Sequence, residues 1–242
     1  ERSDVSQWVP QRPFDSHKWK AALYAVAGSS GMMGAANLCS ASAMRAGAGI
    51  VHVASPGIVS DRSTSTEIVR RALPALGWSH EVLDDLSRFK AIVIGPGLGR
   101  DEGTVSEARR IIAGAHIPMV IDGDGLFAVA WGGEGARDIV RSRAAGTVLT
   151  PHDGEFTTLL GYAPSHDRIT SARRLASDTN CVCLLKGTTT VVAEPSGEVL
   201  MVANGDQRLA TAGTGDVLAG IIGALLAQGV EPFHAAASGA WI

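Results

Sequence analysis

The sequence predicts an α/β protein: a three-layer α/β/α sandwich around a mostly parallel central sheet. Three observations predict it. Short apolar runs recur along the chain, a Gly- or Pro-bearing turn follows each early one, and most of those turns lead into a helical stretch. Apolar strands that alternate with helices need cover on both faces, and a mostly parallel sheet gives it.

Taken in order, 22–27 (ALYAVA) reads as a strand that leads through GSSGMMG into a helix ending near Ala46. GIVHVA (49–54) leads to SPG, and AIVIG (91–95) leads to PGLG and a helix from about Glu102 to Ala113. PMVID (118–122) precedes GDG, and GTVLT (146–150) precedes PHDGE and a further helix. CVCLLKG (181–187) is a late strand, and TTVVAE and EVLMVA, split by PSG, read as a hairpin. In such sheets ligands gather beyond the carboxyl ends of the strands. Nearly every polar or glycine-rich motif directly follows a strand: Gly28, Gly95, Asp122, Thr150 and Lys186–Gly187. Each turn alone is weak evidence, since turns after strands are commonly Gly-rich; together they mark one sheet edge as a site.

The 242 residues suit one domain spanning 1–242. A net charge of −3 without a basic run argues against a general nucleic-acid or membrane-surface binder. The longest apolar run, Val217 to Ala227, is too short to cross a bilayer. Three cysteines point to a reducing compartment, and the expected location is the cytoplasm. Cys181 and Cys183 alternate along a strand, which suits buried apolar thiols and not a zinc knuckle. The polar, proline-bearing start is unlike a signal peptide, and its missing Met suggests a chain cut from something longer.

The most informative stretch is LATAGTGDVLAGIIGALLAQG (209–229). Asp216 at a helix start has an ordinary explanation as a capping carboxylate. One cap does not require Gly213, Thr214 and Gly215 before it, however. A small-residue turn entering a helix also presents bare N–H groups to an anion. Asp216 beside that anion hole would take a proton from a hydroxyl as its oxygen attacks phosphorus, and phosphoryl transfer needs little more than this positioning and charge stabilisation.

The other motifs each admit two readings. GSSGMMG does not fit G-x-G-x-x-G, which disfavours a dinucleotide dehydrogenase. Neither a Walker A pattern nor a G-x-S-x-G elbow occurs. GPGLG (95–99) alone is a tight turn. In TPHDGEF (150–156), Pro151 and Asp153 suit a helix entry, with Glu155 decorating the first turn, while His152 could meet a ligand. Lys186 is either a solvated strand end or a buried cation paired with an anion, with Gly187 and the threonines beside it suited to phosphate or ribose.

GTGDVLAG (213–220) resembles the signature of the ribokinase-like superfamily. With SHK (16–18), AGSSGMMGAA (27–36), RAGAG (45–49), IGPGLGR (94–100), VIDGDGL (120–126), LTPHDGEF (149–156) and LLKGTTTVV (184–192), the ordered set is similar to the ADP- or ATP-dependent NAD(P)H-hydrate dehydratases, from about Trp8 to the end. The resemblance implies a ribokinase-like fold and repair of hydrated NADH and NADPH, acting on the S-epimer. The nucleotide phosphorylates the ring hydroxyl, and loss of phosphate restores the double bond.

By the same resemblance Asp216 is the base. Ala36, Gly99, His152 and, more weakly, Gly97 meet the hydrated dinucleotide. Lys186, Gly187, Thr188, Thr189, Thr190 and Gly215 meet the ADP or ATP. Magnesium is expected with the phosphates, although no carboxylate cluster in the sequence identifies its ligands. A homo-oligomer, such as a tetramer, is also implied, as is a further helix beyond the end and, in some bacteria, a preceding epimerase domain. Two other readings share the anion hole: a kinase for a small alcohol such as a sugar or vitamin precursor, and a non-catalytic nucleotide-binding module.

Overall fold

The computed structural model describes residues 2–58, 67–130 and 134–242. Seven strands follow the parallel register the alternation implies: β1 (Ala22–Val26), β2 (Ile50–Pro56), β3 (Val69–Leu73), β4 (Ala91–Ile94), β5 (Met119–Ile121), β6 (Thr147–Leu149) and β7 (Val182–Leu185). β8 (Thr190–Ala193) and β9 (Val199–Val202) close the sheet as the expected hairpin, antiparallel to each other and to β7. The nine strands run in the order β3-β2-β1-β4-β5-β6-β7-β8-β9.

Successive residues of the central strands feed opposite cores. Ala22, Tyr24 and Val26 of β1, with Ile92 and Ile94 of β4, pack on one face. Leu23, Ala25, Ala91 and Val93 pack on the other. The first face is covered by α3 (Trp78–Asp85), α4 (Glu102–Gly114), α5 (Asp124–Ala130), α6 (Glu134–Arg141), α7 (Asp153–Leu160) and α8 (Arg168–Thr179). The second is covered by α2 (Met33–Arg45), α9 (Thr214–Ala227) and α10 (Pro232–Trp241), while α1 (Arg2–Trp8) stacks Trp8 on His234 at 4.4 Å between ring centroids. The expected three-layer sandwich is thereby present. Cys181 and Cys183 lie buried in the first core, as their alternation implied.

Close approach of α9 explains two of its glycines. A Cβ on Gly223 would lie 2.4 Å from Val93 of β4, and one on Gly220 would lie 2.0 Å from the Cys39 carbonyl of α2. Without side chains there, α9 sits low enough to bring its first turn over the strand ends.

Strand order reverses between β1 and β4, which opens a crevice beyond their carboxyl ends. The turns leaving those strands are tied together across it. Gly28 N–H donates to the Pro96 carbonyl at 2.8 Å, and Ser29 Oγ donates to the Gly97 carbonyl at 2.9 Å. Helix α2 and the loop after β4 are thus fixed as one rim of the crevice.

Candidate active site

The N-cap of α9 is Gly213, in the left-handed conformation at φ 97°, and no side chain caps the helix. Asp216 is the third helical residue and is not the capping carboxylate that its position first suggests. The first bond of the helical ladder runs from Val217 N–H to the Gly213 carbonyl at 3.0 Å, so the amides of Gly215 and Asp216 precede it. Thr214 turns its hydroxyl inward, donating to the Leu209 and Thr211 carbonyls at 3.0 and 2.9 Å. These contacts shape the turn ahead of the Gly215 and Asp216 amides.

Lys186 ends the run after β7 and reaches the same point. A Cβ on Gly215 would be 3.5 Å from Lys186 Nζ and 3.9 Å from Asp122 Oδ2. The ammonium bonds Asp122 Oδ1 at 2.9 Å and lies 3.6 Å from Glu155 Oε2. Asp122, buried at the end of β5, also accepts the Thr150 hydroxyl at 2.6 Å. Burial alone would lower Lys186, but Asp122 and Glu155 hold it above the usual lysine value. The paired-cation reading of Lys186 is the one the geometry supports.

Asp216 moves the other way. Burial first, then the like charge of Asp122, push its carboxyl up to about 6; Lys186 opposes this and Asp124 adds to it. A base with that value is ionised at neutral pH yet avid for a proton, as general-base work requires.

Farther along the edge, Asp124 at the start of α5 receives Gly99 N–H at 2.8 Å and Arg100 Nε at 2.6 Å. Gly99 and the buried Gly97 therefore lie on the rim near the acidic cluster, with Gly99 half-exposed. Ala36 is fully buried beside Gly28. His152 caps α7, with Nδ1 accepting from Gly154 and Glu155 N–H at 3.0 and 3.2 Å, and it remains largely exposed. The cap falls to His152 itself, not to Pro151 and Asp153. Its imidazole lines a pocket of about 100 Å³ with Arg100, Gly123, Phe127, Glu155 and Thr158.

Gly187 and Thr188 are exposed and Thr189 half-exposed on the turn between β7 and β8, and Thr190, also half-exposed, opens β8. Arg168 braces this turn: Nη2 donates to the Lys186 carbonyl at 2.8 Å while Nη1 holds Asp153 at 2.8 Å. Sequence spacing marked Asp122 only as a strand-end turn and gave no role to Asp124, Arg168 or the bridging position of Glu155. Asp122 directly follows the apolar run of β5, and Asp124 carried a signal as the acidic residue of the GDG turn just beyond it. Arg168, at the start of a helix without a glycine-rich turn, carried none.

Comparisons with known proteins give the family and the fold. A model of the NAD(P)H-hydrate dehydratase family matches residues 23–242. The chain is 38% identical, over 97% of its length, to the bifunctional NAD(P)H-hydrate repair enzyme Nnr of Moorella thermoacetica, and 38% identical over 98% to that of Mycobacterium tuberculosis. It spans 46% and 47% of those two proteins. Its fold matches that of an ADP/ATP-dependent NAD(P)H-hydrate dehydratase from Bacillus subtilis, co-crystallised with ATP and Mg2+, at TM-score 0.81 and 27% identity, covering all of this chain and 85% of that one. A ribokinase-like superfamily protein from Enterococcus faecalis matches in fold at TM-score 0.84 and 24% identity, covering 99% of this chain and 83% of the other. With 220 of its residues matched by that one model, the chain belongs to the NAD(P)H-hydrate dehydratase family.

Proposed function

We propose that residues 1–242 form one ribokinase-like unit that dehydrates the S-epimer of hydrated NADH and NADPH, with ADP or ATP as phosphoryl donor. The observation that carries this reading is the meeting of three groups at one point: the amide turn of Gly213–Gly215, the Lys186 ammonium, and Asp216 raised to about 6.

Asp216 takes the proton of the ring hydroxyl while that oxygen attacks the terminal phosphorus. The P–O bond to the shortened nucleotide breaks, and the Gly215 and Asp216 amides with Lys186 stabilise the charge spreading over the transferring oxygens. The phosphorylated ring then loses phosphate with the C–O electron pair, the adjacent ring carbon gives up a proton, and the double bond returns. Lys186, Gly187, Thr188, Thr189, Thr190 and Gly215 hold the nucleotide. Gly97, Gly99 and His152 hold the dinucleotide, and Ala36 supports the turn above it.

Among the described residues no group of three or more His, Cys, Asp or Glu side chains forms a metal cage. The acidic side chains near the anion turn fit Mg2+ carried in on the nucleotide, since this ion keeps most of its waters and needs only one or two carboxylates besides phosphate. Asp122, whose Oδ2 lies 3.9 Å from a Cβ on Gly215, is the carboxylate that would face it, and when bound it would neutralise phosphate charge.

The test is to mix the protein with acid-hydrated NADH and Mg2+, add ADP or ATP separately, and follow the NADH absorbance band. Its return with a nucleotide supports the reading and names the donor. No return, with nucleotide consumed instead on a panel of small alcohols, replaces it with the small-alcohol kinase.

A further inference from the structure

One carboxylate touches both halves of the site. Glu155 Oε2 accepts the His152 backbone N–H at 2.9 Å, completing the capping box of α7. The same oxygen stands 3.5 Å from His152 Nε2 and 3.6 Å from Lys186 Nζ. Both are ion-pair distances, longer than a formed hydrogen bond, so the carboxylate is shared between imidazole and ammonium and committed to neither. The bond to the backbone holds it in place while that sharing is decided.

We propose that Glu155 is a positioning residue that couples the nucleotide side of the site to the dinucleotide side. The inference rests on the function proposed above. A phosphate settling on the Gly213–Gly215 turn competes for the Lys186 ammonium, whose firmer partner is Asp122 at 2.9 Å and whose looser partner is Glu155. As Lys186 turns to phosphate, Glu155 is released toward His152 Nε2. His152 Nδ1 already accepts from two amides, so its ring proton sits on Nε2, the nitrogen 3.5 Å from that carboxylate. Charge assistance strengthens the new bond and fixes the imidazole lining the pocket. A bound nucleotide thereby orders the residue that meets the second substrate, and by linkage each ligand strengthens the other.

The experiment follows the ring Cε1–H resonance of His152 by NMR, identified among the seven histidines by its loss in His152→Asn, while ADP with Mg2+ is added and its binding is measured by calorimetry. The wild-type resonance is expected to shift with ADP occupancy. Glu155→Gln retains an oxygen for the His152 N–H, so it should fold and bind ADP, yet its His152 resonance should move at most a third as far. Glu155→Asp, which keeps the charge but shortens the reach, should behave alike and serves where the glutamine variant does not fold. An equal shift in wild type and variants, or no shift in ADP-saturated wild type, overturns the coupling and leaves the proposed function intact. Failure of wild type to bind ADP and ATP alike overturns both, and calorimetry with each nucleotide separates that case from the others.

Discussion

Lys186 Nζ lies 2.9 Å from Oδ1 of Asp122, 64 residues away in the chain, and the pair stands directly beneath the Gly215 turn. Both side chains are well shielded, at 20% and 5% exposure, so each depends on the other. Lys186→Ala leaves a buried carboxylate uncompensated and is expected to cost about 3 kcal/mol, the lower end for breaking a buried pair. Urea unfolding checks this. A midpoint unchanged from wild type would mean that the pair contributes little to stability.

Asp216→Asn removes the proposed base while keeping its shape. Turnover of hydrated NADH is expected to fall by about 10³-fold, within the usual range for loss of general-base assistance, with ADP affinity changed little. Calorimetry alongside the absorbance assay separates lost chemistry from lost binding.

The raised Asp216 carboxyl sets the pH dependence of activity. Its ionised form is the active one, so kcat is expected to rise with pH through about 6 and level off above it. Asp122→Asn removes the like charge that follows burial among the causes, and the acid limb should move to lower pH. A limb that stays in place would assign it to another group.

The same shift has a stability consequence of fixed sign. A carboxyl raised in the folded state holds its proton more tightly there than when unfolded, so stability falls as pH climbs from the ordinary value of 3.8 to about 6. Asp216→Asn should therefore melt higher than wild type at pH 7–8, with the difference shrinking as pH drops through that window. Thermal melts at pH 4 and pH 7.5 read it directly.

Gly220→Ala tests how the fold positions the base. Its Cβ would meet the Cys39 carbonyl at 2.0 Å and Ser42 Oγ at 2.2 Å. Helix α9 must shift outward, at a cost of about 1–3 kcal/mol for overpacking, carrying Asp216 with it. Activity is expected to fall more steeply than the loss of melting temperature alone accounts for.

Much of this was legible in the sequence, for physical reasons. Strands buried on both faces must be apolar throughout, so β1, β4, β5, β6 and β7 stood out. The turns after them carried the site. β3 did not stand out because it is an edge strand reading Val-Arg-Arg-Ala-Leu, with only Leu73 buried. Helices α3 and α8 passed unnoticed for a like reason: each faces the core with a narrow stripe, Trp78 and Val82 in one, Ala172, Leu175 and Ala176 in the other, among polar residues. Within the site, Asp216, Lys186 and His152 were found because each follows a strand or a small-residue turn. What sequence spacing could not disclose was pairing across the sheet edge. Asp122 with Lys186, Asp124 with Gly99 and Glu155 between His152 and Lys186 exist only once neighbouring strands align their ends.

The most direct test of the account counts nucleotide consumed against NADH restored. Hydrated NADH is given in excess over a limiting amount of the active donor, and shortened nucleotide, inorganic phosphate and recovered NADH are measured in the same sample. The account predicts one of each for every turnover, and about 10³-fold less of all three from Asp216→Asn in the same time. NADH restored without nucleotide consumption, or nucleotide consumed without NADH, would contradict phosphorylation of the ring hydroxyl at this site.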